Sequence, residues 1–93
     1  MGYYQVIIRP SAEKDLVKHK KAGDTALLKK ITAIIKDLEE HPYSGIGHPE
    51  PLKHQFSGLW SRRINQKHRI IYEVIENTVT VYVLAAFGHY GDK

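Results

Sequence analysis

The chain contains no cysteine. That excludes disulfide cross-links and thiolate chemistry, and it suits a reducing compartment. There is no glycine-rich phosphate loop and no nucleophile elbow, so nucleotide-binding and hydrolase motifs of those kinds are absent. No N-terminal apolar run resembles a signal peptide. The longest apolar run, Val81 to Phe87, is far too short to span a bilayer. The expectation is a cytoplasmic protein without a membrane partner. Repeats and low-complexity tracts are missing too, and 93 residues are too few for two cores, so residues 1–93 are read as one domain. One absence is local. Between Pro51 and Tyr72 there is no carboxylate at all, while Lys53, Arg62, Arg63, Lys67 and Arg69 all fall there. In the first forty residues acids are mixed among the lysines, which reads as an ordinary solvated surface. In the 51–72 block nothing offsets the charge.

What is present makes a folded basic domain. Apolar residues are 42% of the chain, enough for one core. The formal charge of +4 favours a nucleic acid or an acidic protein as partner.

The pattern along the chain predicts a strand over Tyr4 to Arg9, which is β-branched and aromatic. Pro10-Ser11 stops it, with Ser11 expected to cap a helix from Ala12 to about Ala22. Gly23 ends that helix, and Asp24 caps a second one running to Glu40, before His41-Pro42. Leu27, Ile31, Ile34, Ile35 and Leu38 form its apolar stripe. His41 to Ser57 reads as a loop, with room for a short helical turn around Leu52. Strands are expected over Leu59–Asn65, Arg69–Ile75 and Thr78–Phe87, joined by turns at Gln66-Lys67 and Glu76-Asn77. The fold class is α+β, in the order β-α-α-β-β-β: a small antiparallel sheet with an N-terminal helical hairpin packed on one face. The first strand is expected to pair within that sheet.

The other sheet face is left open. Ile70, Tyr72 and Val74 suit the helix side, which puts Arg69 on the open face. Trp60 and Ile64 also suit the core, which puts Arg63 on the open face and leaves Arg62 without an account unless a twist or an edge position exposes it. His19 and His41 are expected to face solvent.

These residues supply the parts of metal-free phosphodiester cleavage. RNA carries its own nucleophile, the 2′-OH. An enzyme must deprotonate it, stabilise the phosphorane and protonate the 5′-oxygen. Glu50, restrained between Pro49 and Pro51, is a candidate base. Arg69 and Lys53 are candidate phosphate clamps, one a planar fork and one a point charge. His89 is the candidate acid, since an ordinary imidazole titrates near neutrality. Tyr90 can stack on a base. His54 is a lesser candidate for supporting the loop or a phosphate. Taken singly, each has a plain reading as well: a loop carboxylate, surface cations, a frayed tail. His48 and His54 lack the cysteine or paired carboxylate that a zinc site needs, so no metal and no cofactor is expected.

Gly47-His48-Pro49-Glu50-Pro51-Leu52-Lys53-His54, then Ser57-Gly58-Leu59-Trp60-Ser61-Arg62-Arg63-Ile64, then His68-Arg69 and His89-Tyr90, resemble the YoeB (Txe/YoeB) toxins of the RelE/ParE superfamily. The likeness runs from about Lys29 to Tyr90. It implies a bacterial type II toxin that cuts messenger RNA in the ribosomal A site without a metal. It implies Glu50 as general base, His89 as general acid and Arg69 as transition-state stabiliser. Lys53 and Tyr90 then bind or orient RNA, with His54 and Arg63 matching further family positions. The implied partners are a YefM-like antitoxin, the ribosome with its message, a second copy of the chain, and operator DNA through the toxin–antitoxin complex. Gly91-Asp92-Lys93 continue beyond the His-Tyr pair, where the family pattern stops. Two other functions compete: a ParE-like gyrase inhibitor, and a non-enzymatic nucleic-acid or operator-binding module. Neither needs an acid–base pair, and the second predicts salt-sensitive binding without a cleaved product.

Overall fold

The computed structural model describes residues 3–88. Strand β1 (Gln5–Ile8) leads into helices α1 (Pro10–Ala22) and α2 (Thr25–Glu40). Strands β2 (Glu50–Pro51), β3 (Trp60–Arg63), β4 (Arg69–Ile75) and β5 (Thr80–Ala85) follow. The sheet order is β1-β5-β4-β3-β2. Neighbours from β5 to β2 run antiparallel. The expected α+β fold is therefore present, with two refinements: β1 lies at the sheet edge, and it runs parallel to β5. The sheet is mixed because the helical hairpin carries the chain across the sheet before it returns. No helix among the described residues is long and apolar enough to cross a membrane.

Local chemistry explains most boundaries. Gly23 closes α1 in the left-handed region (φ 74°), its N–H donating to Lys20 O. The Asp24 carboxylate then accepts from Leu27 N at 3.1 Å, capping α2 as expected. Ser11 is not a cap. Helix α1 begins at Pro10, whose fixed φ and missing N–H fit the first helical position, and the residue before it, Arg9, makes no side-chain cap. The Ser11 hydroxyl donates instead to Leu84 O at 2.6 Å and ties α1 to β5. The turn before β4 is built by Asn65, whose side-chain oxygen accepts from the backbone of Lys67 and His68. Between β4 and β5 the chain makes a 3₁₀ turn, Glu76–Thr78, so β5 starts later than its β-branched sequence suggests.

The core lies between the helices and one sheet face. Leu27, Ile31, Ile34 and Leu38 of α2 pack with Ile64, Ile70, Tyr72, Val81 and Val83, while Ile35 is half-buried at the margin. Ile70, Tyr72 and Val74 face the helices as the alternation predicts.

Arg62 faces the helices too, and it is fully buried. Its Nη1 donates to Asp37 at 2.5 Å and to Ile46 O at 3.2 Å. Its Nη2 donates to the carbonyls of His41 and Ser44. Its Nε donates to the Tyr72 hydroxyl at 3.3 Å, which in turn donates to Pro42 O at 2.7 Å. Every guanidinium N–H thus has an acceptor. One arginine pins the loop after α2 to the end of α2 and to the sheet. Its neighbours must be small: a Cβ on Gly45 (φ 120°) would stand 1.9 Å from the Asp37 carboxylate, and one on Gly47 (φ 83°) 2.9 Å from Arg63 O. Burial raises the Tyr72 phenol above its ordinary value, opposed by the adjacent Arg62.

Candidate active site

The pinned loop delivers Glu50 to the open face. Gly47 O accepts from Arg63 N at 2.6 Å, and Leu52 N donates to Leu59 O at 2.8 Å. Between these two bonds Glu50-Pro51 pairs with Ser61-Trp60 as a two-residue strand at the sheet edge. A segment flanked and interrupted by prolines does not read as a strand, so the sequence showed only a loop there. The helical turn expected near Leu52 is a 3₁₀ turn over His54–Phe56.

In-register partners share a face, so the sheet aligns Glu50, Ser61, Ile71 and Ala85 in one row and Arg63 opposite Arg69 in the next. Glu50 and Arg69 meet: Oε2 lies 3.8 Å from Arg69 Nη1. The carboxylate is 59% exposed and the arginine side chain 16% exposed, so a carboxylate faces solvent above a cation set into the sheet. Arg63 is exposed directly across the strand pair from Arg69. Like charges opposed in this way repel, and an anion lying between them relieves the repulsion. The Ser61 hydroxyl is buried in the row that carries Glu50, without a hydrogen-bond partner among the described residues.

Lys53 and His54 follow Glu50 on the same segment, both exposed. Their carbonyls accept from Phe56 N and Ser57 N, closing the 3₁₀ turn. His54 takes a left-handed backbone (φ 59°), as does His48 (φ 53°), a conformation in which histidine is over-represented. His89 and Tyr90 lie outside the described residues. Among the described residues no group of three or more His, Cys, Asp or Glu side chains could hold a metal ion.

The stretch leading to His89 is held from two sides. Asp15 Oδ2 accepts from Ala86 N at 2.9 Å, and His19 Nε2 donates to Ala86 O at 2.7 Å. His68 Nδ1 accepts from Gly88 N at 3.0 Å, and Gly88 O accepts from Arg69 N at 3.0 Å. His19 is therefore not solvent-facing but buried, because the end of β5 crosses that face of α1. The His19 ring packs on His68 and on Phe87, with centroids 4.7 and 5.2 Å away. The spacing of Asp15 and His19, one helical turn apart, was the sequence signal for a shared face. His41, the C-cap of α2, is exposed as expected.

Residues 9–90 match the family model of the YoeB-like toxin of bacterial type II toxin-antitoxin systems. The Toxin YoeB of Escherichia coli O6:H1 is 48% identical over 58 residues, which is 62% of this chain and 69% of that protein. The YoeB/ParE toxin from Agrobacterium tumefaciens superposes with a TM-score of 0.82 at 31% identity, over 92% of this chain and 99% of that one. The YoeB dimer from Staphylococcus aureus (TM-score 0.77, 32% identity) matches over 95% of this chain and 99% of its own. The YoeB–YefM complex from the same organism (TM-score 0.76, 31% identity) matches over 94% and 98%. An exposed carboxylate set against a sheet-bound arginine, on a loop pinned from beneath, thus sits in a chain that belongs to the YoeB-like toxins of bacterial type II toxin–antitoxin systems.

Proposed function

We propose that this toxin is an endoribonuclease that cuts messenger RNA in the ribosomal A site. The observation that carries the proposal is the convergence on Arg69. Its guanidinium lies 3.8 Å from the Glu50 carboxylate, and its backbone N–H holds Gly88 O, one residue before His89. A carboxylate, a fixed cation and the residue that precedes His89 in sequence therefore meet at Arg69.

In the proposed reaction Glu50 takes the proton of the 2′-OH, and O2′ attacks the adjacent phosphorus. Arg69, with Arg63 across the strand pair, stabilises the charge on the phosphorane. His89 gives its proton to the 5′-oxygen as the P–O5′ bond breaks, leaving a 2′,3′-cyclic phosphate. Lys53 and His54 contact the RNA backbone from the segment after Glu50, and Tyr90 stacks on a base. This proton balance closes with side chains alone, so the proposed chemistry uses neither a metal nor a cofactor. The Staphylococcus aureus YoeB–YefM complex and YoeB dimer support a YefM-like antitoxin and a homodimer as partners. Operator DNA is reached through the toxin–antitoxin complex, and a ribosomal target places the protein in the cytoplasm.

Primer extension on a defined message, programmed into purified ribosomes, tests this reading. Wild type should cut within the A-site codon. Glu50→Gln and His89→Gln should each slow the cut by about 10²-fold or more. No cut by folded wild-type protein would overturn the nuclease reading and move attention to gyrase or operator binding.

A further inference from the structure

The antiparallel ladder of β4 and β5 reaches its end at the Ile71–Ala85 pair, next to a bulge. Beyond a ladder's end a chain normally frays, because its peptide groups have no strand to bond. Here all four backbone groups of Ala86 and Gly88 are engaged, three of them by side chains from elsewhere: Asp15 and His19 of α1 on Ala86, and His68 on Gly88. The directions are fixed by the partners. A carbonyl only accepts, so the His19 proton sits on Nε2. An amide N–H only donates, so His68 Nδ1 is the unprotonated nitrogen. Phe87, between the two clamped residues, lies against both imidazoles, its ring 4.6 Å from His68 and 5.2 Å from His19.

This arrangement has a direction. Each bond holds Ala86 or Gly88, the third and the first residue before His89 in sequence, and the last of them joins Gly88 to the backbone of Arg69. We propose that His68, backed by Asp15 and His19, is a positioning residue that aims the general acid: it fixes the exit of the chain from β5 relative to Arg69 and Glu50. The inference rests on the nuclease reading and on His89 as its acid, and it adds residues to which that reading gives no chemical step. Misplacing a reacting group by about 1 Å costs up to ~10²-fold in rate, so a clamp one peptide unit away is in a position to matter.

The test uses single-turnover cleavage on programmed ribosomes by wild type, His68→Leu, His68→Asn, His68→Gln, His89→Gln and the His68→Leu/His89→Gln double variant. Leucine keeps the volume and removes the acceptor. Asparagine puts an oxygen where Nδ1 stood, whereas glutamine reaches only toward the Nε2 position. His68→Leu should lower the saturated rate by about 10- to 10²-fold while half-saturation stays unchanged. His68→Asn should recover most of that loss and His68→Gln should not. In the His89→Gln background, His68→Leu should cost nothing further. An unchanged rate in His68→Leu, or a full extra loss in the double variant, would overturn the proposal. Should His68→Leu fail to fold, equal rates for the asparagine and glutamine variants would overturn it as well. Absence of any cut by wild type is a separate result, which sinks the nuclease reading and takes this inference with it.

Discussion

Arg62 and Arg63 are neighbours on one strand, and they do opposite things. Arg62 points toward the helices, is fully buried, and gives every N–H to the protein. Arg63 points away, is exposed, and stands opposite Arg69 on the face that carries Glu50. The period-two alternation of a strand separates a buried, fully bonded arginine from one on the open face in a single step. The two faces are also coupled. The loop that Arg62 holds from beneath is the one that brings Glu50 to the edge of the open face. A basic block in a sequence is thus not one object, and its charge has to be divided by face before it is assigned to a ligand.

The strongest way to break this contrast is to truncate each arginine in turn. Arg62→Ala strands Asp37 and the carbonyls of the loop, and should cost about 3–5 kcal/mol of folding stability. Arg63→Ala should stay within about 0.5 kcal/mol of wild type. Denaturant unfolding followed by circular dichroism measures both, and similar losses at the two positions would erase the distinction. On the open face, Arg69→Ala should lower the A-site cleavage rate by ~10²–10³-fold. An unaltered rate would transfer the clamp role to Lys53 or Arg63.

The smallest effect expected is on alkaline stability. Tyr43, on the loop held by Arg62, donates to Glu76, as does Tyr4. Burial, and then the Glu76 hydrogen bond, push the Tyr43 phenol up to about 12 from 10.0. Burial and then Glu76 raise Tyr4 as well. A raised folded-state value means the protonated form is favoured by folding. Its contribution is fully present below pH 10, declines above it, and is gone once the pH has passed about 12. Tyr43→Phe should flatten part of that alkaline limb in a pH series of unfolding midpoints while leaving cleavage at neutral pH unchanged.

Much of this was legible in the sequence, and the reasons are specific. Gly23 and Asp24 punctuate the helical hairpin with chemistry that permits little else, and the α2 stripe and the alternation in β4 are long enough to show their period. Arg63 and Arg69 could be placed on one surface because alternation is a local rule, whereas Glu50 read only as part of a loop until its pairing with Ser61 was seen. What escaped depends on contacts distant in sequence. The parallel pairing of β1 with β5, the burial of His19 beneath the end of β5, and the acceptors of Arg62 on the loop after α2 all join segments that no local pattern relates. Ser11 was misread because two good helix starters stand side by side, and proline at the first position left serine free to bond β5.

The parallel pairing of β1 with β5 has a consequence for the order in which the protein can fold. Gln5–Ile8 must wait for Thr80–Val83, and Asp15 and His19 must wait for Ala86. A chain still being synthesised can form its helical hairpin but cannot close its sheet, since β5 is made after every other strand. The Arg69–Gly88 bond likewise joins the site only after residue 88 has been added. Closure of the fold is therefore set by topology rather than by any single group: a polypeptide that stops a few residues before Ala86 lacks the backbone groups that Asp15 and His19 hold.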